Sequence, residues 1–262
     1  MGTFVPNRRG AKDCAVMNPS TVHVRAAAKL TLSLRVTGVR ADGFHEIDAE
    51  MVSLDFCDEL RIDPAGDSLT VDGRFAAGVS GDGANLVAQA LQLVGRRAGV
   101  HLTKNVPHGA GLGGGSADAA AILRWAGFDD LIAASRLGAD VPFCMIGGRA
   151  RVTGIGEIVT PLEFRALDVT LVVPPLYVST PAVYRAWDAL PAERRRGERN
   201  DLEGAACVVE PRLVEWKQRI TEACGATPTL AGSGSTWFVG GRHPELAANL
   251  PDATVVVAST QR

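Results

Sequence analysis

An alternation of apolar and polar residues begins soon after residue 20. Every second position is apolar and the positions between are polar; the apolar members are Leu30, Leu32, Leu34 and Val36. Side chains of a strand alternate between two faces, so this period of two predicts a half-buried strand over residues 21–36. A turn at Ala41-Asp42-Gly43 then leads into a second predicted strand over residues 47–54.

The rest of the chain mixes short strand patterns with helical ones. Further strands are predicted at residues 60–62, 69–71, 100–104, 143–152, 169–173, 236–239 and 254–257. Helices are predicted over residues 85–94, from about Ser116, over residues 131–137 with Gly138 as the stop, from Thr180 as a cap with Pro181 in the first turn, and over residues 211–220. Because this order has no regular βαβ rhythm, it predicts an α+β fold in two lobes, with a boundary near residues 150–165.

The amino-acid composition limits the kinds of molecule that the protein is expected to bind. The chain has 262 residues, of which 46 % are hydrophobic, and fits one large domain or two of ordinary size. Its formal net charge is −2 and it has no basic stripe, so bulk electrostatics give no reason to expect a nucleic acid. No stretch is long and apolar enough to cross a bilayer. We therefore expect a small-molecule substrate, with neither nucleic acid nor membrane as a partner, while the oligomeric state stays open.

Neither the N-terminal segment nor the cysteines indicate export. Residues 1–19 are polar and irregular and lack the apolar run of a signal peptide, so we expect a disordered leader. The five cysteines are scattered and include no closely spaced pair. A zinc site needs ligands at short spacing, so reduced thiols in the cytoplasm are the simpler interpretation.

The most informative segment is a glycine-rich loop between a predicted strand and a predicted helix. Its residues are Pro107-His108-Gly109-Ala110-Gly111-Leu112-Gly113-Gly114-Gly115-Ser116-Ala117. Glycines have no Cβ, so the backbone can bring its N–H groups close to an anion, and the following helix adds unpaired N–H donors. This order favours phosphate binding, with a flexible surface linker as the alternative. The loop lacks the Gly-Lys-Ser/Thr of a Walker A motif and the spacing of a Rossmann fingerprint.

Two charged residues are candidates for phosphoryl-transfer chemistry. Asp140 lies between a helix stop and an apolar segment predicted as a strand, where Val141 and Pro142 restrict the backbone. A carboxylate held there can accept a proton from a substrate hydroxyl. Lys29, on the polar face of the first strand, can neutralise developing phosphate charge. A turn cap for Asp140 and a solvated strand position for Lys29 are the alternatives.

Three segments resemble sequence blocks of the GHMP kinase superfamily, named after the galacto-, homoserine, mevalonate and phosphomevalonate kinases. They are Ala28-Lys29-Leu30-Thr31-Leu32, the glycine loop, and a second glycine-rich turn, Leu230-Ala231-Gly232-Ser233-Gly234-Ser235-Thr236. The resemblance implies a two-lobed α+β fold, with an N-terminal lobe like domain 2 of ribosomal protein S5 and a ferredoxin-like C-terminal lobe. It also implies an ATP-binding domain at residues 20–155, a C-terminal kinase domain at residues 156–262, and ATP-dependent phosphorylation of an alcohol with Mg²⁺.

Within the superfamily, the match narrows to the kinase family whose substrate is 4-diphosphocytidyl-2-C-methyl-D-erythritol. The segments that resemble this family are Arg40-Ala41-Asp42-Gly43-Phe44-His45-Glu46, residues 137–143, Ser179-Thr180-Pro181-Ala182-Val183-Tyr184 and Asn200-Asp201-Leu202-Glu203. The reaction that this resemblance implies is phosphorylation of the 2-hydroxyl of the methylerythritol unit. That reaction is a step of non-mevalonate isoprenoid precursor synthesis.

The resemblance implies roles at the phosphate end of the site. Asp140 resembles the family's catalytic base and Lys29 resembles its active-site partner. Residues 107–117 resemble the ATP-phosphate loop, and residues 232–235 resemble the loop that closes over the phosphates. Ser116 is a candidate contact for the metal or a phosphate, with a helix cap as the alternative, and the magnesium ligands stay unassigned.

The resemblance implies substrate contacts at five further positions. Thr31 and Thr180 match residues that contact the substrate, and Phe44 and Tyr184 match aromatics that stack on the two faces of the cytosine ring. His45 matches the residue that hydrogen-bonds this ring. Taken without the resemblance, ordinary packing explains both aromatics and a turn position explains His45.

Two features depart from the family pattern. Thr31 stands where the family usually has Asn. The Thr side chain is shorter, and its hydroxyl cannot donate and accept hydrogen bonds in the way that an amide does. The stretch over residues 121–137 is shorter than the family norm and lacks most of one helix. Two alternatives to the leading hypothesis remain open: another GHMP kinase with a different alcohol substrate, and a non-catalytic nucleotide-binding protein on the same fold.

Overall fold

The computed structural model describes residues 21–262, which form one mixed sheet with helices packed on it. The strands are β1 (Val22–Val39), β2 (His45–Asp63), β3 (Leu69–Asp72), β4 (Gly99–Thr103), β5 (Arg149–Gly154), β6 (Ile158–Pro161), β7 (Asp168–Val173), β8 (Thr229–Leu230), β9 (Trp237–Gly240) and β10 (Thr254–Gln261). The helices are α1 (Leu86–Leu93), α2 (Gly114–Ala126), α3 (Leu131–Ser135), α4 (Val141–Ile146), α5 (Thr180–Ala189), α6 (Glu203–Val209), α7 (Arg212–Cys224) and α8 (Leu246–Asn249). This mixture confirms the predicted α+β class. The leader predicted for residues 1–19 lies outside the described residues.

The two longest strands form an antiparallel hairpin that carries part of the candidate site. β1 and β2 pair from Val22↔Ile62 at the open end to Val39↔His45 beside the turn. The register shifts next to Lys29 and again after Thr31. Such bulges re-aim individual side chains, and they are frequent beside active sites. The separately predicted strands at residues 47–54 and 60–62 are therefore parts of the single strand β2.

Strand β2 is the hub of the sheet. It pairs with β1, β4, β5 and β10 along different parts of its length. β10 pairs with β2 at Thr260↔Leu54 and with β7 from Thr254↔Val173 to Ser259↔Asp168. The main path of the sheet is therefore β3-β4-β2-β10-β7-β9-β8. The division into domains at residues 155 and 156 stays a prediction.

Helix α2 lies in the interior, packed against α1, α4 and β1. The side chains of Ala119, Ala120 and Ala121 are fully buried, and their small size lets the helix come close to its neighbours. The helix begins at Gly114, two residues before the predicted start. Ser116 therefore lies inside the first turn, and the alternative that it caps the helix is wrong.

One predicted strand is wrong. Residues 143–152 were expected to form a single strand, but their first part belongs to helix α4 and only their last part belongs to β5. A short apolar run does not distinguish a buried strand from a buried helix. Pro142 occupies the first turn of α4, where its missing N–H has no cost, and Gly147 ends the helix with a φ of 73°.

Smaller differences concern helix starts and short elements. Ser179, and not Thr180, occupies the cap position of α5, so the prediction of Thr180 as the cap is wrong. The short elements β6, β8, α6 and α8 were not predicted. Each has seven residues or fewer, which is too few for a distinct periodic pattern.

The described helices do not include one with the length and apolar character of a membrane span. Cys57, Cys144, Cys207 and Cys224 are free thiols. Burial raises the pKa of the Cys144 thiol well above its usual range, so this side chain behaves as a core residue. The cytoplasmic location stays a prediction.

Candidate active site

A cavity of about 520 Å³ opens between the β1–β2 hairpin, the glycine loop and helix α5. The predicted site residues on its wall are Lys29, Thr31, Phe44, His45, Gly111, Ser116, Asp140, Thr180 and Tyr184. These residues come from segments that are far apart in the sequence. The fold thus brings residues of the predicted catalytic, phosphate-binding and substrate-binding groups to a single cavity.

Lys29 and Asp140 form an ion pair inside this cavity. The Lys29 Nζ lies 3.2 Å from the Asp140 Oδ2, and the lysine side chain is only 6 % exposed, whereas the aspartate side chain is 30 % exposed. Lys29 Nζ also donates a hydrogen bond to Thr31 Oγ1 at 3.3 Å. Asp140 immediately precedes α4, and its carbonyl oxygen accepts a hydrogen bond from the Cys144 N–H. The carboxylate is therefore held at the cavity wall with one side open to a ligand.

The glycine loop makes room for the side chain of Lys29. A Cβ atom at Gly113 would lie 2.6 Å from Lys29 Cγ. Gly113 also has a φ of 67°, in the left-handed region that favours glycine. The backbone N–H of Lys29 donates to the Leu112 carbonyl oxygen at 2.9 Å. The lysine and the loop therefore pack as one unit.

Buried and half-exposed residues alternate along the middle of the loop. Ala110 and Leu112 belong to the hydrophobic core, whereas Gly111 and Gly113 are half-exposed. A Cβ atom at Gly111 would lie 2.6 Å from the carbonyl oxygen of Ala231, in the second glycine-rich turn. The two glycine-rich segments therefore touch, and only glycine fits at this contact.

Helix α2 presents its N-terminus at the end of the loop. Its N-cap residue is Gly113, which has no side chain to accept hydrogen bonds from the first turn. The N–H groups of the first three helical residues are therefore left for other acceptors; these residues are Gly114, Gly115 and Ser116. An N-terminus with uncapped N–H groups is a favourable place for an anion.

The second glycine-rich turn is held by a side chain from a different segment. The Nδ2 of Asn200 donates to the carbonyl oxygens of Leu230, at 2.9 Å, and Gly232, at 2.6 Å. Asn200 is fully buried. On the cavity side of the turn, Ser233 Oγ and Thr180 Oγ1 are hydrogen-bonded at 2.7 Å. These bonds tie the turn to the start of α5.

A buried group of three charges lies beneath the start of α2. The ammonium of Lys104 contacts the carboxylates of Asp58 and Asp118, and all three side chains are at most 3 % exposed. Asp58 also accepts hydrogen bonds from the N–H groups of Asn105 and Val106, whereas Asp118 Oδ1 has no partner among the described residues. Burial raises the pKa of Asp118, and the Asp58 carboxylate raises it further against the opposing effect of Lys104.

This charged group lies directly against the phosphate-loop backbone. A Cβ atom at Gly114 would lie 3.2 Å from Lys104 Nζ and 3.3 Å from Asp58 Oδ2. Burial lowers the pKa of Lys104, but the Asp118 and Asp58 carboxylates outweigh it and hold the pKa above its ordinary value. The group therefore supports the first helical residue of α2 from within the core.

Aromatic residues form the other end of the cavity. The ring centroids of His45 and Tyr184 lie 4.6 Å apart with the rings tilted by 33°. Burial raises the pKa of the Tyr184 hydroxyl to about 12, and the nearby carboxylate of Asp140 adds to this effect. Phe44 is 58 % exposed at the rim. The ring of Phe44 is thus open to a ligand, whereas the ring of Tyr184 is packed into the cavity wall.

Part of the predicted phosphate loop does not line this cavity. The residues outside its wall are Pro107, His108, Gly109, Ala110, Leu112, Gly113, Gly114, Gly115 and Ala117. The imidazole of His108 instead contacts the Ala77 carbonyl oxygen at 3.1 Å. Gly109 packs against the ring of Tyr177. Contact of these residues with ATP stays a prediction.

Three residues of the site were given no role by the sequence analysis. Asp188 and Arg185 line the cavity, and Asn200 holds the second glycine-rich turn. Helical spacing was a usable signal for Asp188, because it follows Thr180 and Tyr184 at intervals of four residues on α5. Asn200 belongs to a segment that resembles the family, but no local signal indicated its role, because its partners lie about 30 residues away in the chain.

Within residues 21–262, no cluster of three or more His, Cys, Asp or Glu side chains has the arrangement of a metal site. The oxygen donors on the cavity wall include the carboxylate of Asp140 and the hydroxyl of Ser116. Ser116 Oγ lies 3.5 Å from the position of a Cβ at Gly138, two residues before Asp140. Mg²⁺ is usually held by one or two such groups together with substrate phosphates, so these residues fit a magnesium ion that arrives with a nucleotide.

Comparison with known proteins identifies the class. The family model of the N-terminal domain of GHMP kinases matches residues 84–148, which include the glycine loop and Asp140. The crystal structure of an L. major mevalonate kinase in complex with R-mevalonate is similar in fold, with a TM-score of 0.60 and 16 % sequence identity over 94 % of this chain and 98 % of that chain. The predicted GHMP kinase fold is therefore confirmed.

Two further comparisons identify the family within this class. A 4-diphosphocytidyl-2-C-methyl-D-erythritol kinase of Paracoccus denitrificans is 40 % identical over 235 residues, which cover 81 % of this chain and 84 % of that relative. A crystal structure of 4-(cytidine 5'-diphospho)-2C-methyl-D-erythritol kinase matches with a TM-score of 0.73 and 31 % identity, over 92 % of this chain and 100 % of the other. The chain belongs to the 4-diphosphocytidyl-2-C-methyl-D-erythritol kinase family.

Proposed function

We propose that this chain is an ATP-dependent kinase that phosphorylates the 2-hydroxyl of 4-diphosphocytidyl-2-C-methyl-D-erythritol, in non-mevalonate isoprenoid precursor synthesis. Its similarity to kinases of this substrate supports the reaction. The observation that carries the proposal is the Lys29–Asp140 pair, with 3.2 Å between Nζ and Oδ2, in the same cavity as Gly111 and Ser116 of the glycine loop. A carboxylate, a cation and an anion-binding backbone in one cavity meet the needs of phosphoryl transfer.

The glycine loop is proposed to bind the phosphates of ATP. Uncapped N–H groups at the start of α2 and the positive end of the helix dipole favour phosphate oxygens. The contact between Gly111 and the Ala231 carbonyl group supports a joint role of both glycine-rich segments. The ion pairs of Lys104 with Asp58 and Asp118 lie beneath the first turn of α2 and hold this turn in position next to the loop.

Asp140 is proposed to act as the general base. Its carboxylate, 30 % exposed, accepts the proton of the substrate hydroxyl while the oxygen of that hydroxyl attacks the γ-phosphorus atom. The bond from this phosphorus to the β,γ-bridging oxygen breaks, and ADP leaves with the electron pair. Lys29 stabilises the negative charge that develops on the transferred phosphoryl group. Thr31 keeps the ammonium in place through the hydrogen bond between Nζ and Oγ1.

Ser116 and Asp140 are the proposed protein ligands of Mg²⁺, together with phosphate oxygens of the nucleotide. When bound, the ion neutralises charge on the phosphates. Both residues line the cavity, and Mg²⁺ is usually held by one or two such groups together with substrate phosphates.

The aromatic end of the cavity is proposed to bind the cytosine ring. Phe44 is exposed at the rim, and Tyr184 and His45 line the wall. A flat pyrimidine gains binding free energy from offset stacking on such rings. Thr180 lines the same cavity, hydrogen-bonded to Ser233, and is proposed to contact the substrate.

A coupled assay of ADP release tests the proposal. The purified protein is given ATP and Mg²⁺ with 4-diphosphocytidyl-2-C-methyl-D-erythritol, mevalonate, homoserine or galactose, each in a separate reaction. We expect turnover with the cytidylyl substrate to exceed turnover with the other alcohols by about 100-fold or more in kcat/KM. Faster turnover of another alcohol contradicts the substrate assignment, and no turnover of any alcohol contradicts the kinase assignment.

A further inference from the structure

The tight turn between β5 and β6, residues 155–157, packs against the residue that precedes the proposed base. A Cβ atom at Gly156 would lie 3.0 Å from the carbonyl carbon of Ala139 and 3.1 Å from its Cβ, and it would collide with the Ala139 carbonyl oxygen. Any side chain at position 156 would therefore push the backbone of Ala139 away. Gly156 also has a φ of 123°, which residues with a side chain rarely adopt.

The side chain of Glu157 folds back and holds this turn in shape. Its Oε2 accepts a hydrogen bond from the Ile155 N–H at 2.6 Å. The carboxyl carbon of Glu157 lies so close to Gly154 that a Cβ atom there would be only 2.7 Å away. A hydrogen bond from an N–H to an ionised carboxylate is stronger than one between neutral groups. The position of Gly156 within the turn therefore depends on the Glu157 carboxylate.

The β5–β6 turn is anchored to the long β1–β2 hairpin. Gly154, at the end of β5, pairs with Ile47 of β2, and both Ile47 and Ile155 line the cavity. Glu157 Oε1 also lies 3.9 Å from Arg40 Nη1, but the Arg40 side chain is 42 % exposed, and an ion pair of this kind adds little stability. The sheet, and not this ion pair, therefore sets the place of the turn.

The backbone that Gly156 supports leads directly into the ion pair of the site. Ala139 is followed by Asp140, whose carbonyl oxygen accepts a hydrogen bond from the Cys144 N–H at 3.0 Å in the first turn of α4. Helix α4 has only six residues, so its stability depends on tertiary contacts. The Asp140 carboxylate lies 3.2 Å from Lys29 Nζ. A shift of Ala139 therefore moves the carboxylate relative to the ammonium.

We propose that Gly156 and Glu157 are positioning residues for the general base: the turn that they form fixes Asp140 in its place beside Lys29, and neither residue touches the substrate. This inference rests on the proposed function. Because a displacement near 1 Å of a group in the site lowers the rate up to about 100-fold, loss of the turn should reduce kcat. ATP binding should change little, because the proposed phosphate contacts lie in the glycine loop.

Hydrogen exchange measured by mass spectrometry tests the positioning role without any turnover. In Gly156→Ala, we expect peptides that cover residues 138–146 to exchange about 10-fold faster or more, because the start of α4 opens more easily, while peptides of α7 keep the wild-type rate. Gly241→Ala is the control. Gly241 also has a positive φ, 92°, but the nearest atom to a Cβ there is 3.4 Å away, in the side chain of His243. Wild-type exchange over residues 138–146 in Gly156→Ala overturns the inference.

Steady-state kinetics of Glu157 variants test the carboxylate that shapes the turn. In Glu157→Ala, we expect kcat to fall about 10-fold and KM for ATP to change less than about twofold. Glu157→Gln keeps an oxygen acceptor for the Ile155 N–H, so it should keep at least about half of the wild-type kcat. A glutamine variant no more active than the alanine variant contradicts the proposed role of Glu157.

Glu210→Ala is the matched control for Glu157→Ala. The Glu210 carboxylate likewise accepts a hydrogen bond from an N–H two positions away, that of Arg212, at 3.2 Å. Its side chain is 14 % exposed, against 20 % for Glu157, and it does not line the cavity. We expect this variant to have the kcat and KM of the wild type.

A double-mutant cycle distinguishes an effect through Asp140 from a general structural effect. In an Asp140→Asn background the base is already absent, so adding Glu157→Ala should lower the remaining kcat less than about twofold. A further loss of about 10-fold in that background overturns the inference. A wild-type protein without turnover of any alcohol contradicts the proposed function, whereas hydrogen exchange still decides whether the turn positions Asp140.

Discussion

Gly113 and Lys29 pack so closely that no larger residue fits at position 113. A Cβ atom there would lie 2.6 Å from Lys29 Cγ and 3.1 Å from its Cε. The stem of a lysine can move, but Nζ is also bound to Asp140 and Thr31. Any shift of the stem therefore displaces the ammonium from the ion pair. The loop glycine and the position of the cation are directly linked.

We predict that Gly113→Ala reduces kcat about 100-fold, because a displacement near 1 Å of a group in the site has an effect of this size. Gly127→Ala is the matched control. Both glycines flank α2 with nearly equal φ, 67° and 71°, but nothing lies within 4 Å of a Cβ at Gly127. Both variants should lose about 1 to 2 kcal/mol of stability from the backbone alone.

Steady-state kinetics and thermal melting of the two glycine variants decide this prediction. A loss of stability in both variants, larger in Gly113→Ala because of the contact with Lys29, together with a loss of turnover confined to Gly113→Ala supports the link to Lys29. Equal kinetic effects in both variants would show that backbone strain, and not the contact with Lys29, controls activity.

Replacing the carboxylate at position 140 should remove turnover and leave nucleotide binding intact. Asp140→Asn keeps the size of the side chain, but the amide is a far weaker base, so we predict a fall in kcat of about 1000-fold. Binding of ATP in the absence of Mg²⁺, measured by calorimetry, should change less than threefold, because the proposed phosphate contacts are backbone N–H groups.

Asp130→Asn serves as the control for that variant. Asp130 caps α3 through a hydrogen bond from the Ala133 N–H and does not line the cavity. Asn is an equally good cap, so kcat and stability should match the wild type. An Asp140→Asn enzyme with more than a tenth of wild-type kcat argues against a general base at this position.

The buried Asp118 should make stability depend on pH. Burial raises its pKa to about 7, against about 4 for an exposed aspartate. The folded state therefore holds a proton that the unfolded state has lost between about pH 4 and pH 7, and the stability from this group falls as the pH rises through that range. We predict that Asp118→Asn flattens the decrease in unfolding free energy between pH 5 and pH 8.

Urea unfolding at pH 5, 6, 7 and 8 measures this slope. Asp252→Asn is the control, because a hydrogen bond from Arg219 holds the pKa of Asp252 below its ordinary value. Asp252 is thus ionised in both states across this range, and its variant should keep the wild-type slope. Parallel curves for wild type and Asp118→Asn refute the assignment of the proton to Asp118.

Loss of the Asn200 side chain should loosen the second glycine-rich turn. Asn200→Ala leaves the buried carbonyl groups of Leu230 and Gly232 without their donor, at a cost of about 2 kcal/mol. Since this turn touches Gly111 of the phosphate loop, we expect KM for ATP to rise more than kcat falls. The exposed Asn249, at the end of α8, provides a control that should change neither. A change in stability with an unaltered KM for ATP restricts Asn200 to a structural role.

The sequence predicted the elements whose pattern is local and long. The alternation around Leu30–Val36 correctly placed β1, and the predicted order of strand, glycine loop and helix correctly placed the loop between β4 and α2. The run at residues 143–152 failed because apolar residues occupy both faces of a short buried element. Pro142, which favours the first turn of a helix, and the pair Gly147-Gly148, which favours the end of one, are the signals that indicate a helix there.

Contacts between residues that are far apart in the sequence could not be predicted from local sequence patterns. Asp188 and His45 are 143 positions apart, and Lys104 and Asp58 are 46 apart. Nothing in the neighbourhood of either residue indicates the partner, because the pairing depends on how β2, β4 and α5 are arranged in space. The family resemblance named His45 but not Asp188.

Strand β10 has a consequence for how the protein is made. It supplies the hydrogen bonds that join β2 to β7, and it is formed by residues 254–261. A growing polypeptide cannot close the sheet until this stretch has left the ribosome, although every residue of the cavity wall, the last being Ser233, precedes it in the chain. A premature stop codon upstream of β10 leaves the edge of β7 exposed, and such an edge pairs readily with other chains. Truncated products that lack β10 should therefore accumulate as aggregates and not as active enzyme.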